Sequence, residues 1–72
     1  MELKLKNLFE TWADAFQSKK MCPIWVQKEL RKLSKKELRI LSKVIQKVVK
    51  ENPLYLICLN EFVEDVENLR RK

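Results

Sequence analysis

Few side chains in this sequence can do covalent chemistry, and their spacing narrows the choice further. Histidine is absent, which removes the commonest proton shuttle at neutral pH and the commonest metal ligand. Ser18, Ser34 and Ser42 therefore have no imidazole to activate them, and only a Ser42–lysine dyad is formally available as a nucleophile. Cys22 and Cys58 belong to no C-x-x-C pair, the spacing that zinc and redox sites use. Cys58 reads as a small apolar core residue and Cys22, beside Pro23, as a cap-position residue. Glu61, Glu64, Asp65 and Glu67 lack the Asp/Asn/Gly loop of a calcium site and read as a solvated helix face. The expectation is a protein that is not an enzyme and has no metal or cofactor.

Positive charge is what remains. The formal charge of +6 hides a division along the chain. Residues 1–18 carry −1 and residues 51–72 carry −2, whereas residues 19–50 set eleven Lys/Arg against Glu29 and Glu37 for +9. Placed on a helix at 3.6 residues per turn, Lys35, Lys36, Arg39, Lys43, Lys47 and Lys50 fall within an arc of roughly 120°, shared only by Gln46. Most solvated faces interleave Glu with Lys at i, i+4, while like charges at that spacing repel by a few tenths of a kcal/mol per pair. Lys28, Arg31 and Lys32, with Lys19 and Lys20 in the preceding corner, extend the patch in sequence.

Three accounts of this ridge follow. It is a solvated lysine face. It is balanced by the acids of residues 61–67, from the same chain or from a symmetry partner. Or it meets a polyanion, the phosphate backbone of DNA or RNA, with counterion release driving salt-sensitive association. Base reading is less supported, because the ridge holds a single arginine and no Asn occurs between residues 8 and 51.

The elements that must carry these residues follow from composition. The chain has 72 residues, 46% hydrophobic and 36% charged, with no glycine and two prolines, which fits one small domain over residues 1–72 and excludes collagen-like or linker sequences. Without glycine, tight β-hairpins lack their usual positive-φ residue. The expectation is an all-α fold, a compact bundle of four helices at about 2–18, 23–33, 35–51 and 53–70, the second short.

In the first, Leu5, Leu8, Phe9, Trp12, Ala13, Ala15 and Phe16 share a side opposite Asn7, Glu10, Asp14 and Gln17. Pro23 opens the second, with Val26, Leu30 and Leu33 inward. Ser34-Lys35-Lys36-Glu37 is a capping box and starts the third, whose stripe is Leu38, Leu41, Val44, Ile45, Val48 and Val49. Asn52-Pro53 ends it, and the Asn52 side chain is expected to cap the fourth. There Leu54–Leu59 taken alone resembles a buried strand, but Phe62, Val63, Val66 and Leu69 continue a helical period.

Most of the aromatic residues fall on inward stripes, so core packing outweighs a base-stacking platform, with Trp25 the exception. Ile24, Trp25, Ile40 and Ile57, with Leu3, miss those stripes and are candidates for a partner surface. Met1–Lys6 alternate charge with leucine and show no signal-peptide h-region, and no apolar run approaches a membrane span. A cytoplasmic protein with reduced thiols is therefore expected.

The leading functional expectation is a small regulatory nucleic-acid-binding protein. Lys35, Lys36, Arg39, Lys43, Lys47 and Lys50 would contact phosphates, helped by Lys28, Arg31 and Lys32 and by Lys19 and Lys20. The alternative is a helical adaptor or inhibitor acting on a protein partner through an apolar surface, alone or as a homodimer.

Overall fold

A computed structural model describes residues 2–71. Four α-helices form, joined by short corners, and no strand occurs among the described residues. The third, α3 (Lys35–Glu51), has the most completely specified start. The Ser34 hydroxyl accepts from the Glu37 backbone N–H at 3.1 Å, and the Ser34 N–H donates to Glu37 Oε1 at 3.0 Å. Two orphan donors of the first turn are thereby satisfied. Leu41, Val44, Ile45 and Val48 are its buried stripe, while Leu38 and Val49 are half-buried.

The first helix, α1 (Glu2–Gln17), buries Leu5, Leu8, Phe9, Trp12 and Ala13. It closes without glycine. Lys19 takes φ 57°, the Lys20 N–H reaches back to the Ala15 carbonyl at 2.8 Å, and the Lys19 N–H reaches that of Phe16 at 3.1 Å. This is a Schellman closure with lysine where glycine usually stands.

Helix α2 (Ile24–Lys32) begins one residue later than proline's place at a first helical position suggests. Pro23 is the N-cap, extended at φ −55° and ψ 143°, and its carbonyl accepts from Val26 and Gln27. Val26, Leu30 and Leu33 are buried as the spacing predicts.

The stretch from Pro53 onward departs from the single expected helix. Pro53–Cys58 winds as a 3-10 helix and only then does α4 (Leu59–Arg71) begin. A threefold repeat stacks residues i and i+3, so Tyr55 and Cys58 turn inward together while Leu54, Leu56 and Ile57 face solvent. The Cys58 thiol donates to the Tyr55 carbonyl at 3.3 Å. Asn52 leaves the α region at φ −137°, as the following proline requires. Its side chain makes no capping bond, contrary to the sequence reading, and its carbonyl accepts from the Tyr55 N–H.

Helix α1 lies against α2, α3 and the 3-10 segment; α4 packs on α2 and on the 3-10 segment. The core is aromatic at its centre. Phe62 meets Phe9 and Trp12 edge-on, both at 5.0 Å between ring centres, and Phe9 meets Tyr55 at 5.5 Å. Phe16, expected inside, is 42% exposed and stacks flat on Trp12. The Trp12 indole N–H donates to Asp65 Oδ2 at 2.7 Å, tying the first helix to the last.

Candidate nucleic-acid interface

Helix α3 presents its charged arc to solvent because its apolar stripe is occupied by α1 and the 3-10 segment. Lys35, Lys36, Arg39, Lys43, Lys47 and Lys50 are all exposed. Lys47 Nζ approaches Glu2 Oε1 at 3.6 Å. Among the described residues, the other five have no carboxylate within 4.0 Å. The acids of α4, expected as one source of balance, do not supply it within the chain. Asp65 is engaged by Trp12, and Glu61, Glu64 and Glu67 pair with no basic side chain of the described residues. Nor do these four acids gather at one point with metal-binding geometry among the described residues.

The accessory residues separate. Arg31 and Lys32 close α2 two residues before Lys35 and Lys36, so the four crowd the corner where α2 meets α3. Sequence reasoning missed two further cations there. Arg70 Nη1 donates to the Leu30 and Arg31 carbonyls at 3.1 and 3.2 Å, which brings the end of α4, with Arg71, to the same corner. The net acidity of residues 51–72 hid them. Lys28 is exposed on α2. Lys20 lines a cleft of about 310 Å³ with Trp12, Glu61 and Asp65 and therefore sits among acids rather than on the basic ridge. Lys19 takes the left-handed turn after α1, with its side chain exposed.

The other ion pair among the described residues joins Lys4 to Glu29 at 2.9 Å. The hydrogen bond and charge of Lys4 hold the Glu29 carboxyl below its usual range, and Glu29 raises Lys4 in return. Glu29 thus leaves the arc of α3 unneutralised.

The thiols are placed for packing. Burial pushes both up from the ordinary cysteine value, which disfavours the thiolate.

The candidate partner residues do not behave alike. Ile24, Trp25 and Ile57 are exposed, Ile57 at 79%, as is Leu3. Ile40 is half-buried against the core. A larger apolar feature was not legible in the sequence. Helices α3 and α4 run antiparallel, since Arg70 returns the end of α4 to the start of α3, and between them lies an open groove of about 660 Å³. Leu41, Ile45, Phe62 and Val66 form its floor, and Leu38 and Val63 its walls. Among the described residues no helix is long and apolar enough to cross a membrane.

Compared with known proteins, the chain matches no family model, no curated protein and no solved structure.

Proposed function

We propose that this is a small, non-enzymatic regulatory protein of the cell interior that binds the phosphate backbone of DNA or RNA through the exposed face of α3. One observation carries the reading: five cations on that face have no carboxylate within 4.0 Å among the described residues. Like charges held on one rigid rod attract a polyanion, and the released counterions supply much of the affinity. Arg31, Lys32, Arg70 and Arg71 extend the field at the α2–α3 corner.

Mobility shift or fluorescence anisotropy on a short duplex and a single strand, at several salt concentrations, tests this. Five phosphate contacts give a slope of log affinity against log salt of about −4 to −5 on duplex DNA. Arg39→Glu with Lys43→Glu should cut affinity at least tenfold. Absence of binding at low ionic strength, or binding indifferent to salt, removes the proposal.

The exposure of Ile24, Trp25, Leu54, Leu56 and Ile57 supports a second reading, a helical adaptor or inhibitor that engages a protein. Capture of a stoichiometric protein partner, lost on Trp25→Ala, tests it.

A further inference from the structure

We propose that the ligand of the α3 face is a double helix, laid across α3 so that the cations meet both strands, and not an unpaired strand. This rests on the phosphate-binding reading and adds to it the form of the nucleic acid.

The ridge points straight away from the core. On the wheel of α3, Arg39, Lys43 and Lys50 lie opposite Leu41 and Val48, which are buried. From Lys35 to Lys50 the helix measures about 22 Å at 1.5 Å per residue. The major groove of a B-form duplex is about 12 Å wide, so a straight rod of this length reaches the phosphates on either side of it. An unpaired strand offers one such row, with about one charge per 3.4 Å against one per 1.7 Å for the duplex. Cations fixed on a rod gain most from a ligand whose charges are also dense and fixed, because neither partner has to be ordered on binding.

The carboxylates beside the ridge give it a direction. Glu2 meets Lys47 at 3.6 Å, and Glu51 stands one turn beyond Lys47 on the same helix. Glu37, near the other end, is held by Ser34 through two hydrogen bonds. The positive field is therefore weaker toward the end of α3 and stronger toward its start, where Arg31 and Lys32 stand across the short link from Lys35. Arg70 and Arg71 share the end of α4 with Glu67 and add a smaller net charge to that corner.

Unpaired bases need a flat side chain to stack on, and this face has none. Helix α3 contains no aromatic residue, and Phe9, Trp12 and Phe62 are buried. Phe16 stacks on Trp12 at a cleft whose carboxylates, Glu61 and Asp65, outnumber its single cation, Lys20. Trp25 is exposed and shares a side of α2 with Lys28 and Lys32, at i+3 and i+7. It stands at the far end of α2 from the corner, about 10 Å along the helix from Lys32, and α2 packs on α1 and α4 rather than along α3. A strand stacked on Trp25 would leave the ridge unused.

Fluorescence anisotropy of the full chain tests this with a DNA duplex, an RNA duplex and an oligothymidylate strand, matched in number of phosphates. At least one duplex should bind about tenfold more tightly than oligothymidylate, and the tighter of the two identifies the helical form. Arg39→Ala with Lys43→Ala, at exposed positions where alanine favours the helix, should weaken duplex binding about tenfold or more and make the slope of log affinity against log salt shallower by about 2. Lys47→Ala should do less than Lys43→Ala, because Glu2 and Glu51 already offset Lys47. Trp25→Ala should leave duplex affinity unchanged. Oligothymidylate bound as tightly as both duplexes, or bound with quenching of indole emission that Trp25→Ala abolishes and more tightly than either, overturns the double-helical assignment and leaves phosphate binding standing. A duplex preference undiminished by Arg39→Ala with Lys43→Ala also overturns it. Failure of all three ligands to bind at low salt overturns both readings.

Discussion

Lys19 is where the absence of glycine costs most. Its φ of 57° puts a β-carbon against the neighbouring carbonyl, a conformation that costs a non-glycine residue about 1 kcal/mol or more. Lys19→Gly is expected to stabilise the fold by about 0.5–1 kcal/mol, seen as a rise of several degrees in melting temperature, and Lys19→Val to destabilise it. At the opposite kind of terminus, Ser34 and Glu37 hold the start of α3. Ser34→Ala should cost about 1 kcal/mol. The backbone and side-chain hydrogen bonds of Ser34 keep the Glu37 carboxyl below its ordinary 4.5, and Lys4 does the same for Glu29. Carboxyls depressed by folding stabilise the native state above their unfolded value and lose that contribution as pH falls through the folded one. The melting temperature should therefore drop as pH falls below about 4.5. Glu37→Gln should make that drop shallower. A thermal melt series from pH 7 to pH 3 checks both.

At the scale of elements, what was legible in the sequence was local. The capping box fixed the start of α3 to the residue, because both of its bonds run between side chains and backbone three residues apart. The helical period found the buried stripes of α1 and α3 for a similar reason: it depends on each helix alone. The winding of residues 53–58 depends instead on what Tyr55 and Cys58 must reach across the core, and the α-helical period assigned there gave the wrong pitch. The placement of Arg70 was likewise hidden, since its acceptors lie about forty residues earlier in the chain. It closes α2 at the end where helix carbonyls lack partners. Arg70→Ala is expected to cost roughly 1 kcal/mol. Faster amide exchange confined first to α2 and the α2–α3 corner would distinguish that loss from a general loosening. The exposed ridge of α3 was readable from spacing, but whether it was balanced was not, because only tertiary placement shows which carboxylates come near.

For the molecule as a whole, the radius of gyration of 11.2 Å equals the value of about 11 Å that a fully compact chain of this length has. The groove is therefore a seam in a condensed body and not a splayed helix. The shortest extent is 18 Å, the depth of two helices, so there is one core layer and little redundancy in it. Chains this short draw only a few kcal/mol from a single core. Phe62 touches Phe9 and Trp12 at the middle of that layer, and Phe62→Ala should cost about 3–5 kcal/mol. The expected result is loss of the cooperative thermal transition, with near-ultraviolet circular dichroism collapsing before the helical signal does.

The bond between Trp12 and Asp65 spans 53 positions, and that separation bears on when the protein becomes itself. A ribosome delivers the indole 53 positions before its acceptor, so this bond cannot form until the last helix described has been synthesised. Docking of α4 on the aromatic face of α1 follows as a distinct, long-range event. Indole emission, quenched or shifted as the carboxylate docks, would time that event in a stopped-flow refolding trace.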